Sequence, residues 1–121
     1  MNQTMAGDRE MLHDVGAGWW PLTEALHEKL KAIDPDYKIV QVKEKFGGLR
    51  FYYETSQEDK DTWYKMYLLV SEYENESYRT CEECGSKENV TTATFERGWW
   101  IRTLCPSCRE RGERKRKNPE A

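Results

Sequence analysis

Residues 81–108 read CEECGSKENVTTATFERGWWIRTLCPSC, and the cysteines at the two ends of this stretch decide how the last third of the chain folds. The pairs Cys81/Cys84 and Cys105/Cys108 are separated by 20 residues. This spacing is typical of a four-thiolate zinc site, because a two-residue spacer turns both sulfurs of a pair toward one ion and two pairs complete a tetrahedron. We therefore predict that the four cysteines hold one structural Zn²⁺.

The residues between the two cysteine pairs predict a β-hairpin. Strand-forming residues occupy 90–95 and 99–104, and the chain turns helical after the second pair. A cysteine pair, a hairpin and a helix that carries the last ligands make a treble clef, and a zinc ribbon is the close alternative. Segment 100–108 resembles the second half of a GATA-type treble-clef finger. Disulfides, a redox-active pair and a catalytic zinc are disfavoured alternatives, the last because four sulfurs leave no position for water.

The first 79 residues predict an α-β-β-α body that begins with a weakly ordered segment, residues 1–15, in which Asp8 to Leu12 could form a helical turn. A helix starts near Pro21 and ends at Asp34-Pro35, because the residue before proline is pushed out of helical geometry. Apolar residues recur at helical spacing along one face of it: Trp19, Leu22, Leu26, Leu30 and Ile33.

A β-hairpin should follow this helix. Val40, Val42 and Phe46 share one face of a period-2 strand, and Gly47-Gly48 suits a two-residue turn that needs positive φ angles. The return strand covers residues 49–53.

A second helix is expected over residues 57–77, capped by Ser56. Its predicted buried stripe consists of Trp63, Met66, Tyr67, Val70 and Tyr73. Because this helix runs almost directly into Cys81, we predict that the body and the metal module pack as one unit. The fold class is α+β, with a body over residues 1–79, a zinc module over 80–112 and a basic, disordered tail over 113–121.

Charge is unevenly distributed along the 121 residues. The formal net charge is −3, with −5 in residues 1–80 and +2 in residues 81–121. No apolar run approaches the roughly 20 residues that span a membrane, and no hydrophobic segment follows a basic start at the N-terminus. We therefore expect a cytoplasmic protein without a membrane partner, in a compartment where paired cysteines bind metal rather than form disulfides.

The residues predict a protein that is not an enzyme. The two histidines, His13 and His27, lie far from the cysteines in sequence, and His27 is expected on the solvated side of its helix. The nucleophile elbow, the P-loop and the dinucleotide-binding fingerprint are all missing from the sequence.

Two kinds of binding remain, and recognition of a protein is the favoured one. Neighbouring tryptophans point in different directions, so one of each pair can enter the core while the other stays near the surface. Tryptophan flanked by arginine is typical of an interface hot spot. The predicted partner-binding residues are Trp20, Arg97, Trp99 and Arg102; packing of these rings inside the fold is the alternative.

Nucleic-acid binding is the second possibility. A basic strip that leads away from the last cysteine could contact phosphates without reading sequence. Its residues are Arg109, Arg111, Arg114, Lys115, Arg116 and Lys117. The acidic body would oppose the approach of a duplex over most of the surface, and a solvated tail is the simpler reading.

Three segments together resemble a family of small uncharacterised proteins of bacteria and their phages. They read QVKEKFGGLRFY at 41–52, RTCEECG at 79–85 and GWWIRTLC at 98–105. The resemblance implies an α-β-β-α body with an appended zinc finger and brings no catalytic residue with it. It also implies a host-directed inhibitor as a function, since the family occurs in phages and mobile elements.

Overall fold

The computed structural model describes residues 6–94 and 101–117, which form a mixed α+β structure with two small antiparallel sheets. A 3-10 turn, Ala17–Trp19, precedes the second helix. The elements follow the chain in the order α1 (Ala6–Leu12), α2 (Trp20–Ile33), β1 (Lys38–Lys45), β2 (Gly48–Glu54), α3 (Lys60–Ser77), β3 (Thr91–Thr94), β4 (Ile101–Leu104) and α4 (Pro106–Lys117).

The hydrophobic core lies between the helices and one face of the β1–β2 hairpin. Its fully enclosed side chains include Trp19, Leu26 and Leu30 from the α2 region, Leu49 from β2 and Met66 from α3. Each buried aliphatic side chain of this kind contributes about 1.5–3 kcal/mol of transfer free energy. The burial of Trp19, Leu26 and Leu30 confirms the apolar face predicted for the helix that starts near Pro21, which is α2 in the structure.

The β1–β2 hairpin has the expected pairing but a different turn. Phe46 and Gly47 have φ angles of 55° and 83°, and Lys45 pairs with Gly48. The two central residues of the turn are therefore Phe46-Gly47 and not Gly47-Gly48 as predicted. A bulky residue with positive φ is strained by about 1–3 kcal/mol, since this turn position favours Asn or Gly.

A β-bulge changes which residues of β1 face the core. The register shifts between Ile39 and Gln41, so that Ile39 and Val42 are buried while Val40 is 51% exposed and Phe46 65% exposed. The prediction that Val40, Val42 and Phe46 share one face is therefore wrong, because Val42 is buried and the other two residues are exposed. A bulge adds one residue to a strand and thereby inverts the alternation on one side of it.

Helix α3 lies along the outer edge of β2. Ser77 Oγ accepts the Leu49 N–H at 3.0 Å, and Glu74 Oε2 accepts the Phe51 N–H at 2.9 Å. Two backbone donors that a further strand would normally satisfy are thus paired with side chains, which protects this edge from adding another strand.

The start of α3 also differs from the prediction. Asp59, and not Ser56, caps the helix, since its side chain accepts the Thr62 N–H at 3.1 Å. Ser56 instead donates to the buried carboxylate of Asp34 through both its N–H and its hydroxyl. Asp34 therefore ends α2 and fixes the loop that precedes α3.

Two members of the stripe predicted for α3 are exposed. Met66 and Val70 are buried, but Trp63 and Tyr67 are 46% and 59% exposed. The helix is apolar on two sides, and only the side that carries Met66 and Val70 packs against the core.

Candidate metal centre

The four cysteine sulfurs converge on one point. All four Sγ atoms lie within 4.8 Å of one another, and the Sγ atoms of Cys84 and Cys105 are 3.7 Å apart. Tetrahedral zinc with Zn–S bonds near 2.3 Å would place its sulfurs about 3.8 Å apart. All four thiols are free, so this cluster can hold a metal ion, consistent with the predicted structural zinc.

The first cysteine pair lies in a tight turn directly after α3. The Cys81 carbonyl accepts the Gly85 N–H at 2.9 Å, and the Cys81 N–H donates to Ser86 O at 2.8 Å. Gly85 has a φ of 85°, a left-handed conformation that costs glycine nothing. Glycine therefore suits the position that directly follows the first cysteine pair.

The second cysteine pair sits where β4 gives way to α4. Cys105 comes directly before the helix, and Cys108 lies in its first turn, where the Arg109 N–H donates to Cys105 O at 2.9 Å. The positive end of the helix dipole favours thiolates at this position. The fold therefore places the second pair at the positive end of a helix dipole.

Polar groups around the sulfurs favour the ionised form of Cys81. Burial alone would raise the pKa of Cys81, but backbone N–H groups of Cys105, Cys84 and Glu83 outweigh burial and lower this pKa to about 7. At Cys108, burial raises the pKa of the thiol, and Arg111 Nη2 donates to its sulfur at 3.1 Å. Four thiolates carry a charge of −4, which a divalent cation would halve.

Glu82, between the first two ligands, ties the cysteine turn to β4. Its carboxylate accepts the Thr103 N–H at 3.0 Å and Arg102 Nε at 2.8 Å. Its backbone N–H donates to Thr103 O at 2.9 Å. This nearly buried side chain thus joins the two halves of the ligand set, and its burial raises the pKa of its carboxyl.

The metal module packs directly against the body. Gly18 donates its N–H to Glu82 O at 2.9 Å, and Trp19 Nε1 donates to Thr80 O at 2.8 Å. A Cβ on Gly18 would lie 2.1 Å from Cys81 O, so only glycine allows this approach. Across the module, Thr103 Oγ1 donates to Gly47 O at 2.5 Å. These contacts support the prediction that the two parts pack together.

Two of the four predicted partner-binding residues, Trp20 and Arg102, have contacts within the chain. Trp20 is half-buried, stacks on His13 at a centroid distance of 4.1 Å and donates its Nε1 to Val15 O at 2.9 Å. Arg102, with a side chain 17% exposed, pairs with Glu82. Arg97 and Trp99 lie outside the described residues, and the role proposed for all four residues stays a prediction.

Of the residues in the predicted basic strip, the structure describes the side chains of Arg109 and Arg111. Arg109 Nη2 donates to Thr91 O and Arg102 O, both at 2.9 Å, and thereby fastens α4 to the β3–β4 hairpin. Arg111 lies 3.6 Å from Glu83 and contacts Cys108. The described contacts of these two arginines are therefore structural. Arg114, Lys115, Arg116 and Lys117 belong to α4, but their side chains lie outside the described part of the chain.

Both histidines line one cleft, which the sequence did not indicate. The cleft has a volume of about 270 Å³ and is lined by Arg9, Leu12, His13, Glu24, His27 and Glu28. His27 is buried, and its Nδ1 lies 2.5 Å from the hydroxyl of Tyr37. The prediction that His27 is solvated is therefore wrong, because Tyr37 follows the helix and folds back over it. Burial lowers the pKa of His27 and raises that of Tyr37.

An apolar surface on α3 was also missed. Four neighbouring large side chains are about half exposed or more, at 46% for Trp63, 61% for Tyr64, 59% for Tyr67 and 48% for Leu68. Tyr64 and Tyr67 stack at a centroid distance of 6.3 Å. Spacings of three and four residues place these rings on one side of a helix, but such spacings do not distinguish a buried side from an exposed one.

Compared with protein families, curated proteins and solved structures, the chain matches none of them. The family resemblance and the inhibitor function that it implies therefore stay predictions. Within residues 6–94 and 101–117, none of the helices combines the length and the apolar character needed to cross a bilayer.

Proposed function

We propose that this chain is a non-enzymatic, zinc-stabilised binding protein that engages a partner protein through α3. The observation that carries the proposal is the exposed surface formed by Trp63, Tyr64, Tyr67 and Leu68, here named the α3 surface. The four residues occupy two adjacent turns of one rigid helix, so they present their side chains as a single area.

The size and composition of the α3 surface support an interface. Three half-exposed aromatic rings and one leucine expose on the order of several hundred Å², the range in which the largest apolar patch of a protein is often functional. This is roughly half of what one partner contributes to a standard protein interface. Tryptophan and tyrosine are also the residues that most often dominate binding free energy.

The metal would act as a structural element in this proposal. Four sulfurs fill a zinc tetrahedron, so no coordination position is left for a substrate or a reactive water. The order of cysteine turn, β3–β4 hairpin and helix with Cys108 in its first turn supports a treble clef rather than a zinc ribbon. Zinc would fasten this module to the end of α3 and so restrict the motion of the surface that binds.

Affinity capture from the native host, using nuclease-treated lysate, tests the α3 surface. The bait proteins are the wild type, a Tyr64→Ser/Tyr67→Ser variant and an Arg79→Ser control at an exposed position near the other end of the helix. We expect the wild type and the control to retain the same protein through a high-salt wash and the double variant to lose it. Equal retention by the double variant would place the interface elsewhere.

Light scattering on the purified chain separates a foreign partner from a second copy. A dimer that the Tyr64→Ser/Tyr67→Ser variant breaks would identify the partner as this same chain. A monomer in both proteins, together with selective capture, would identify a different protein as the partner.

A further inference from the structure

The geometry points to a second binding surface, which takes single-stranded nucleic acid, on the outer face of the β1–β2 hairpin. This inference goes beyond the proposed protein interface, because it concerns a different face of the body and a different class of ligand. We name it the hairpin surface and define it by Lys43, Lys45, Phe46, Arg50 and Tyr52.

The register of the hairpin places these residues together. Lys43 pairs with Arg50, and the next rows on the same face pair Gln41 with Tyr52 and Lys45 with Gly48. The buried residues Val42 and Phe51 point to the opposite face, so by strand alternation Lys43, Lys45, Arg50 and Tyr52 share the outer face. Phe46 follows in the turn. Along the hairpin, the residues of this face therefore follow in the order Tyr52, the pair of Lys43 and Arg50, Lys45, and then Phe46 in the turn.

The basic residues of the hairpin surface concentrate positive charge on an otherwise acidic body. Lys43 and Arg50 face each other across the strands, and like charges in direct cross-strand positions are unfavourable to the sheet. Among the described residues, neither side chain forms an ion pair. A polyanion laid along this face would compensate the repulsion, which is the charge complementarity that phosphates supply.

The aromatic residues of the hairpin surface are available for stacking. Phe46 is 65% exposed and Tyr52 42% exposed. Lys45 Nζ lies 5.9 Å from the centroid of the Phe46 ring, and Lys43 Nζ lies 5.9 Å from that of the Tyr52 ring. Each ring therefore has a cation beside it, the combination by which single-strand-binding surfaces hold a base and its phosphate.

The conformation of Phe46 adds an independent argument. Its φ of 55° is one that Asn or Gly adopts more easily at this turn position, yet the chain places a large exposed ring there. Residues held in sparsely populated conformations cluster at functional sites. A ring that contributes little to the core and strains the backbone is explained by contact with a ligand.

Single-stranded rather than duplex nucleic acid fits this surface. Stacking needs unpaired bases, whereas a duplex would offer only phosphates to a surface flanked by the acidic remainder of the body. Three basic side chains predict a slope of log K against log salt of about −2 for a single strand.

The test measures fluorescence anisotropy of the full-length chain with labelled 12-nucleotide oligo(dT) and oligo(U), and with a duplex of equal length. The decisive variant is Lys43→Glu, which turns a like-charge cross-strand pair into an opposite-charge pair. We expect it to unfold at a slightly higher denaturant concentration than the wild type while binding at least about tenfold more weakly and with a shallower salt slope. Lost binding in a protein of undiminished stability cannot come from misfolding.

Further variants separate stacking from charge. Tyr52→Ser is expected to weaken binding roughly 5- to 150-fold, the range for loss of one stacked base, with the salt slope unchanged. Lys60→Glu/Lys65→Glu, which reverses two charges on α3, is the matched control, and Lys115→Glu/Arg116→Glu/Lys117→Glu tests the C-terminal basic strip. Both are expected to bind within about twofold of the wild type if Lys43, Lys45 and Arg50 supply the phosphate contacts.

Four results would overturn the inference. The first is no saturable binding of either oligonucleotide at low salt. The second is tighter binding of the duplex than of the single strands. The third is loss of binding in the C-terminal variant with retention in Lys43→Glu. The fourth is competition by polyglutamate as effective as that by unlabelled oligonucleotide, which would identify an acidic protein as the ligand.

Discussion

The body and the metal module are stabilised by different means. In the part of the chain that the structure describes, the body core is built from eleven buried residues, among them Trp19, Leu30 and Met66. Outside the undescribed residues 95–100, the buried cluster of the module consists of Leu104 and three cysteines, with Val90 packed against them. Among the described residues, this cluster buries far less apolar surface to offset the entropy of ordering two strands and a helix than the body core does. Within the described residues, one region is therefore held by hydrophobic burial, and the other would depend on a metal ion held by its four cysteines.

Removal of the metal should produce the largest difference in stability between the two regions. Structural zinc contributes on the order of 10 kcal/mol to folding, so chelation or Cys81→Ser should unfold β3, β4 and the start of α4 while α2 keeps its core contacts. Residue-resolved hydrogen exchange by NMR measures both regions in one experiment. Ser107→Ala, between two ligands but exposed, is the matched control. Unchanged protection of the module after metal removal would show that it folds without its ligand.

The next largest effect tests the body alone. Leu30 is fully buried, and Leu30→Ala should lower the free energy of unfolding by about 2–5 kcal/mol through lost burial and a cavity. Urea denaturation measures the loss, and Leu68→Ala at a half-exposed position should cost less than about 1 kcal/mol. Metal affinity, measured by competition with a chromophoric chelator, should stay the same. A large loss of affinity would mean that the two regions fold as one.

Asp34 tests whether the body also depends on a polar centre. Burial alone would raise the pKa of Asp34, but hydrogen bonds from Thr55, Ser56 and Asp36 outweigh it and lower the pKa to about 2. Because the folded pKa lies below the usual value of 3.8, the stabilisation is present above about pH 4 and lost as the pH falls toward 2.

Asp34→Asn should therefore lower the free energy of unfolding by about 1–3 kcal/mol at pH 7. The difference from the wild type should shrink below pH 4, while loss of metal in acid affects both proteins alike. Urea denaturation between pH 7 and pH 2 measures this difference in the free energy of unfolding, with Asp36→Asn at an exposed position as the control. A difference that persists at pH 2 would contradict the assigned hydrogen bonds.

The smallest effect concerns the turn where the two regions meet. Phe46→Asn should raise the free energy of unfolding by up to about 1 kcal/mol, because Asn adopts positive φ more readily. Gly47→Ala should do the opposite, since its Cβ would lie 2.8 Å from Thr92 Cγ2. Thermal denaturation of the wild type and both variants measures these opposite changes in stability. A destabilised Phe46→Asn would show that the ring is part of the packing rather than a strained, exposed residue.

The metal site was the most predictable part of the molecule. Ligation is local chemistry, so Cys81, Cys84, Cys105 and Cys108 could be assigned from spacing alone. The α+β class and the apolar face of α2 were equally accessible, since periodicity is a property of neighbouring residues.

The remaining features depend on residues that are distant in sequence. A bulge between Ile39 and Gln41 leaves no mark on composition, so Val40 was placed on the wrong face. Asp34 has hydrogen-bond donors more than 20 residues away, and only the fold reveals them. Trp63 and Tyr67 have the spacing of core residues, and which side of α3 is covered depends on how the hairpin packs. The hairpin surface could not be predicted for the same reason, because its residues come from both strands and from the turn between them.

The hydrogen bond from Trp19 Nε1 to Thr80 O has a practical consequence. This indole is completely enclosed in the body, yet its one polar atom is attached to the residue next to the first ligand. Its emission spectrum should therefore shift when the ion is withdrawn, even if α2 stays folded. With the other four tryptophans replaced by phenylalanine, the chain would become its own optical sensor of metal occupancy.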